Sequence, residues 1–191
     1  MFELEQKYKL TLTEPMLGTV AKSKEIFTRY IANERTGEDE ISNVPEGEES
    51  GYTGFFTDEE GIFLYDYHIK GFLKEAGNVL KESLKLKNLK TKIDNFVFVF
   101  PRKIRLQEKP DGVLERPLRG MTAQGPRVSL AKSDVVNAGL SFEITIKVLP
   151  HKGQEIDQEV IESLLDYGAL KGLGQWRNGS WGRFEFQDAT A

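Results

Sequence analysis

The chain has 191 residues and a formal net charge of −4, a length that suits one well-buried core and argues against two full domains. It has no cysteine and only two histidines, His68 and His151, which excludes disulfides and thiolate metal sites and leaves no histidine cluster. No apolar run approaches membrane-spanning length, and the first residues enter a strand pattern without an apolar signal segment. We therefore expect a cytoplasmic protein with no membrane association, no cofactor and no metal.

The charge is unevenly distributed along the chain. Residues 1–60 carry 6 basic and 14 acidic side chains, whereas residues 61–191 carry 20 basic and 16 acidic ones. The segment 101–132 has 8 basic against 3 acidic side chains. An acidic protein can therefore present a local basic stripe, and this local field is what a phosphate backbone meets.

In chain order, the first predicted element is a strand over Leu4 to Leu12, where polar and apolar residues alternate. A short helix capped by Ser23 is predicted to extend to Ala32. The acidic segment 34–51 is full of helix and strand breakers, so we predict a solvated loop or a disordered insertion there. The pattern from Gly54 to Tyr65 predicts a short hairpin.

The later elements follow from apolar periodicity. They are a helix over 69–86, strands over 94–100 and 139–149, a helix over 157–170 and a closing strand over 181–186. Between these strands, residues 107–132 are rich in proline, glycine and arginine but poor in core residues. A loop of that length without its own core predicts a long protruding hairpin.

Without insertions at about 20–60 and 107–135, the element order is strand, helix, strand, strand, helix, strand. This is the split βαβ order. We therefore predict a single α+β domain over 1–191, with a ferredoxin-like (RRM-like) βαββαβ core, a long β-hairpin arm and an acidic insertion. Its two helices would cover one face of an antiparallel sheet and leave the other face, or the edge loops, for ligands.

The most unusual segment is 168–186, which combines five glycines, two tryptophans and two arginines. Because glycine loses the most conformational freedom on folding, such a cluster between ordered elements predicts a shaped loop. Glycine exposes backbone N–H groups, arginine supplies a charged donor fork, and tryptophan offers a stacking face. The combination favours a polyanionic ligand, with nucleic acid first; the alternative is an ordered turn whose tryptophans fill the core.

Two segments together carry a family resemblance. Lys70-Gly71, at the predicted start of the first core helix, is followed by the basic residue Lys74, and the glycine-rich stretch 168–186 precedes the last strand. In this order they resemble the RAMP superfamily, the RNA-binding proteins of CRISPR effector complexes, and most of all its Cas7-like backbone subunits. Family members usually have arginine at the position of Lys74. No aspartate follows the first strand at 14–18, where target-cleaving relatives keep theirs.

The resemblance implies an RNA-binding protein without target cleavage, for instance a stand-alone relative encoded by a phage or a mobile element. It places phosphates on Lys70, the Gly71 backbone and Arg177, with the arginines of the long hairpin closing over the strand as a thumb. The full set of predicted nucleic-acid contacts is Lys70, Gly71, Lys74, Arg116, Arg119, Arg127, Lys171, Gly172, Gly174, Arg177 and Arg183. Two simpler alternatives remain: Gly71 permits tight packing at the helix start, and the hairpin arginines only keep the arm soluble.

We predict a non-enzymatic protein that binds single-stranded nucleic acid, preferably RNA. A modest basic stripe suffices if protomers assemble along the strand, as a homo-oligomer or as subunits of a ribonucleoprotein. One alternative is a metal-independent endoribonuclease with His68 as acid or base. Another is a structural or protein-interaction module of a larger assembly.

Overall fold

The computed structural model describes residues 2–32, 36–45, 47, 51–123, 125–153 and 155–190. The protein is a mixed α+β chain with several antiparallel sheets and few helices, as predicted for the fold class. The strands are β1 (Leu4–Leu12), β2 (Met16–Leu17), β3 (Val20–Ala21), β4 (Tyr52–Gly54), β5 (Phe56–Asp58), β6 (Gly61–Tyr65), β7 (Val97–Phe100), β8 (Lys103–Gln107), β9 (Gly112–Thr122), β10 (Gly125–Val136), β11 (Ser141–Val148) and β12 (Phe184–Asp188). The helices are α1 (Lys24–Ile26), α2 (Glu38–Ser42), α3 (Asp66–Leu80), α4 (Leu89–Phe96) and α5 (Gln158–Lys171), with a π-helical turn at Phe27–Ile31 and a 3-10 turn at Arg177–Gly179.

The residues cluster into two compact units. The core unit contains Met1–Met16, Leu64–Leu106 and Asn137–Ala191. The arm unit contains Leu17–Phe63 and Gln107–Val136. These two stretches nearly coincide with the predicted insertions at about 20–60 and 107–135.

The core unit contains a four-stranded sheet with the order β12-β1-β11-β7, in which all neighbouring strands are antiparallel. The predicted first strand is confirmed as β1, where Leu10 lies opposite Phe142 on one side and Phe186 on the other. Tyr8 and Leu10 are fully buried, whereas Lys9 between them is exposed. The period-2 alternation of the sequence therefore decides which face of the sheet joins the core.

Helices α3 and α5 supply the other side of this core. Asp157 caps α5 by accepting a hydrogen bond from the Val160 N–H at 2.9 Å. The ring centroids of Phe72 on α3 and Phe184 on β12 lie 5.9 Å apart. A Cβ added at Gly168 would come within 2.5 Å of the Phe72 ring, so this glycine lets α5 approach α3 closely.

The first core helix begins earlier than predicted. It starts three residues before Ile69, because Tyr65 is the last extended residue and the helical backbone begins directly after it. It ends at Leu80, well before Leu86. Lys70 and Gly71 therefore lie in the second turn rather than at the helix start. This corrects the predicted role of the Gly71 backbone, whose N–H lies beyond the four unpaired N–H groups at a helix N-terminus.

Two predicted strands are shorter than expected. Residues 94–96 belong to α4, where Leu89 and Ile93 are buried at helical spacing, and the strand begins only at Val97. The last strand begins at Phe184, because the residues from 181 onward complete the preceding turn. A short apolar run at the junction of two elements fits both the helical and the strand periodicity, so tertiary packing decides where each element begins or ends.

The predicted long hairpin is present in the arm unit as β9 and β10. The two strands pair from Gly125 opposite Thr122 to Val135 opposite Gly112, and β10 also pairs in parallel with β4. The predicted hairpin at 54–65 is confirmed by the antiparallel pairing of β5 and β6. In the acidic segment 34–51, α2 replaces part of the predicted loop, while residues 34, 35, 46 and 48–50 lie outside the described residues.

A buried carboxylate anchors the base of the hairpin. Asp134 is 3 % exposed, accepts a hydrogen bond from the Tyr52 hydroxyl at 2.8 Å and forms an ion pair with Lys22 at 3.2 Å. Burial alone would lower the pKa of Lys22, but its contacts with Tyr52 and Asp134 outweigh burial and raise it. The cluster therefore compensates the buried carboxylate, which would be left as an unpaired buried charge if Lys22 were removed.

Candidate nucleic-acid interface

Helix α3 presents a narrow exposed stripe along one side. Its members are Tyr67, Gly71, Lys74 and Asn78, which are spaced by four, three and four residues and so lie above one another on the helix. Tyr67, Gly71 and Asn78 are exposed, and Lys74 is half-buried. We call these four residues the α3 stripe, and it contains two of the predicted nucleic-acid contacts.

Gly71 is required neither by packing nor by backbone conformation. A Cβ added to Gly71 would meet no atom within 4 Å, and its φ lies outside the left-handed region. Glycine inside a helix costs about 0.5–1 kcal/mol relative to alanine. The alternative that Gly71 permits tight packing is therefore wrong, and the residue leaves open space in the middle of the α3 stripe.

Lys70 lies on one flank of the α3 stripe. Its Nζ donates to the carbonyl oxygen of Asp94 at 3.1 Å and to the carbonyl oxygen of Val97. Burial lowers the pKa of Lys70, although the Asp94 carboxylate opposes that shift. Lys70 is therefore held at the junction of α4 and β7 with its charge close to the surface.

Lys74, a member of the α3 stripe, extends its side chain toward the same flank. Its Nζ lies 2.9 Å from the Asp94 carboxylate, and this hydrogen bond is the main reason why the pKa of Asp94 is lowered. One exposed carboxylate thus faces both lysines. A phosphate arriving on this flank would compete with Asp94 for their charges.

Arg177 lies on the opposite flank of the α3 stripe. Its guanidinium donates to Glu75 at 2.9 Å, and the Tyr167 hydroxyl donates to the other carboxylate oxygen at 3.2 Å. Burial would raise the pKa of Glu75, but Arg177 and Tyr167 outweigh it and lower the pKa. Glu75 follows Lys70 by five residues, about 140° around the helix. The structure therefore places the glycine-rich loop beside α3, with the α3 stripe between Lys70 and Arg177.

Two glycines of the loop are explained by the loop's own backbone. The Leu173 N–H donates to the Gly182 carbonyl at 2.9 Å, so the two arms of the loop touch. A Cβ at Gly172 would overlap the Trp181 carbonyl oxygen, and one at Gly182 would overlap the Leu173 carbonyl oxygen. Both glycines have positive φ, +87° and +71°. The predicted shaped loop is present, and its internal crossing accounts for Gly172 without a ligand.

The remaining loop residues make local contacts. The Lys171 Nζ donates to the Asn178 side chain at 3.1 Å, and the Arg183 Nε donates to the Leu170 carbonyl at 3.0 Å. Gly174 has φ +78° and contributes to the turn. The two tryptophans, 176 and 181, are half-buried and contact each other edge to face, so neither is a fully buried core residue.

The structure places only two of the three hairpin arginines on the same face of the hairpin. Arg127 lies opposite Gly120, and Arg119 lies opposite Val128. Directly paired residues share a face and successive residues alternate, so Arg116 and Arg127 share one face while Arg119 lies on the other. All three arginines are exposed. As a thumb, the hairpin would therefore present two arginines to a ligand, not three.

Sequence reasoning missed the most basic part of the core unit. Residues 66–106 carry ten basic and four acidic side chains. Within the predicted strand over 94–100, Phe98 and Phe100 are 40 % and 44 % exposed while Val97 and Val99 are buried. The alternation of valine and phenylalanine was the available signal, because an antiparallel sheet commonly has one face packed against the core and one face in solvent.

His68 occupies a packed position. Its ring lies 4.6 Å from the Tyr67 ring, and its Nδ1 donates to the Tyr65 carbonyl at 3.1 Å. Burial lowers the pKa of His68 from its ordinary value near 6.5. The fold therefore favours the neutral imidazole at this position.

This arrangement predicts a loss of stability in mild acid. Because the unfolded chain takes up a proton near pH 6.5 and folded His68 does so only at lower pH, the free energy of unfolding should fall as the pH drops from 7 toward 5. The slope attributable to His68 is at most about 1.4 kcal/mol per pH unit. Urea denaturation across this range should give a flatter profile for His68→Asn, whose amide keeps the donor to Tyr65. Identical profiles would contradict the assignment.

Comparisons with protein-family models and with curated proteins gave no match. Within the described ranges, none of the helices has both the length and the apolar character needed to cross a bilayer. Among the same residues, histidine and acidic side chains do not gather in groups of three or more that would suit a metal ion.

Proposed function

We propose that this chain is a non-enzymatic protein that binds single-stranded nucleic acid, preferably RNA, and that it is a Cas7-like member of the RAMP superfamily. The observation that carries the proposal is Gly71. This glycine lowers the stability of α3, and neither packing nor backbone conformation requires it. We therefore attribute it to the binding of a ligand. The cations Lys70 and Lys74 lie to one side of Gly71, and Arg177 lies to the other side.

We propose further that the core unit is the ferredoxin-like core of this family. Its elements follow in the order β1, α3, β7, β11, α5, β12, with α4 added before β7. The antiparallel strand order β12-β1-β11-β7 supports this, since each helix joins strands separated by one neighbour. The hairpin of β9 and β10 would then be the arm.

The charges of the interface suit a polyanion that binds each protomer weakly. Lys74 and Arg177 each have a carboxylate partner, Asp94 and Glu75, and all four side chains retain at least 30 % exposure. An arriving phosphate exchanges one anionic partner for another, which limits the gain from each contact. We propose that several protomers therefore assemble along one strand, so that weak contacts add through effective concentration.

The function is tested by fluorescence anisotropy with labelled single-stranded RNA, single-stranded DNA and duplex of equal length at graded salt. Single-stranded RNA should bind most tightly, and affinity should fall linearly on a log–log salt plot. Absence of binding at low salt would overturn the proposal. Cleavage products formed in EDTA and lost in His68→Ala would instead establish the nuclease alternative. Capture of a protein partner without any nucleic-acid binding would establish the protein-interaction alternative.

Removing the cations on both flanks should weaken binding and reduce its salt dependence. For Lys70→Ala combined with Arg177→Ala we expect about tenfold weaker binding at low salt and a salt slope shallower by about 1.4, from two lost phosphate contacts. The matched control is Lys24→Ala with Lys152→Ala, which removes the same charge from two exposed positions that belong neither to the α3 stripe nor to its flanks. Equal affinities for the two double variants would rule out a cradle at α3.

A further inference from the structure

A groove of aromatic residues lies beside the N-terminal end of α3, at the edge strand β7 of the core-unit sheet. Its volume is about 260 Å³, and its walls are Asp66, Tyr67, Lys70, Phe98, Val99 and Phe100. We call it the aromatic groove. Tyr67, Phe98 and Phe100 are each 40–44 % exposed, so three large rings meet solvent at one place.

This exposure is unusual for its position. Full burial of a large apolar side chain such as phenylalanine contributes about 1.5–3 kcal/mol to stability. Val97 and Val99 of the same strand are buried. Phe98 and Phe100 instead stand on the sheet face that also carries charged residues, with Lys147 directly opposite Phe98 in the register of β11 and β7. Clustered exposed rings within a polar surface mark a binding site.

Cations lie at the edges of the aromatic groove. The Lys70 Nζ lies 5.1 Å from the centroid of the Phe98 ring, and the Lys147 Nζ lies 5.4 Å from the centroid of the Phe100 ring. The surrounding segment 66–106 has six more basic than acidic side chains. Flat apolar faces flanked by ammonium groups suit a ligand that is both planar and anionic, which describes a nucleotide unit of a single strand.

We propose that the aromatic groove holds an unstacked nucleobase of a bound single strand, with Phe98 and Phe100 as the stacking platform. The inference rests on the proposed function and adds base contact to phosphate contact. Tyr67 belongs both to the α3 stripe and to the wall of the aromatic groove. A strand whose phosphates follow the α3 stripe therefore meets the aromatic groove at the N-terminal end of the stripe.

The test distinguishes the contribution of the bases to affinity from the contribution of the phosphates. Anisotropy is measured for an oligouridylate and for an abasic oligonucleotide with the same number of phosphates. The wild-type protein should bind the oligouridylate about tenfold more tightly, since one stacked base contributes about 1–3 kcal/mol. Phe98→Leu with Phe100→Leu keeps apolar side chains but removes the flat faces; it should lose this preference while its affinity for the abasic strand and its salt slope stay unchanged.

The outcomes are distinguishable. If neither oligonucleotide binds the wild-type protein at low salt, the proposed function fails and the inference fails with it. If both bind equally, or if the leucine variant keeps the preference, the base site is overturned and the proposed function stands. If an oligoglutamate peptide binds with the same sensitivity to the leucine substitutions, the groove recognises acidic peptides and the base site is likewise overturned. Circular dichroism of the leucine variant checks that the fold is retained.

Discussion

Replacing Gly71 by glutamate is expected to weaken single-strand binding at least about a hundredfold while leaving the fold intact. The new side chain enters open space, since no atom lies within 4 Å of the Cβ position. It places a carboxylate on the α3 stripe, between Lys74 and Arg177. Like charges brought together at an interface cost several kcal/mol, and each tenfold loss of affinity corresponds to about 1.4 kcal/mol. Anisotropy with single-stranded RNA measures the loss, and thermal unfolding measures the fold.

Two further substitutions at Gly71 separate charge from bulk. Gly71→Ala should raise the free energy of unfolding by about 0.5–1 kcal/mol, because it removes a glycine from a helix interior without a clash. Gly71→Lys has bulk similar to that of glutamate with the opposite charge, so it should retain far more binding. Wild-type affinity in the glutamate variant would show that the strand does not pass over α3.

The sequence predicts the elements with strict periodicity better than those at junctions. β1 has the predicted bounds because polar and apolar residues alternate without interruption over its length. The predicted start of α3 is too late, because the aromatic residues around Tyr65 locally favour a strand. In the structure, burial of Ile69, Phe72 and Leu73 in the core determines where the helix forms. Local preference yields to tertiary packing at such positions.

For the candidate site, residue types are predictable and their partners are not. Lys70 and Arg177 are identified by their neighbours in sequence, Gly71 for the first and the glycine-rich stretch 168–186 for the second. Their counterparts, Asp94 and Glu75, lie 24 and 102 residues away along the chain. Such contacts depend on how helices pack, which no local pattern encodes. The exposed side of β7 was predictable in principle, because valine and phenylalanine alternate along the strand and an antiparallel sheet commonly leaves one face in solvent.

Gly182→Ala is expected to be severely destabilising. Its Cβ would overlap the Leu173 carbonyl oxygen, a backbone atom that cannot rotate away, and the residue has a φ of +71°. Left-handed backbone costs a non-glycine residue about 1–2 kcal/mol, and overpacking adds about 1–3 kcal/mol. The free energy of unfolding should therefore fall by about 4 kcal/mol, measured by urea denaturation.

Gly139→Ala is the matched control for this loss. Gly139 also has positive φ, +93°, but a Cβ there would meet no atom within 4 Å. It should show only the backbone contribution of about 1–2 kcal/mol. The difference between the two variants then measures the close approach of the two loop arms, which fixes Arg177 beside α3. Equal losses at Gly182 and Gly139 would mean that the arms of the loop do not cross as closely as the glycine pattern requires.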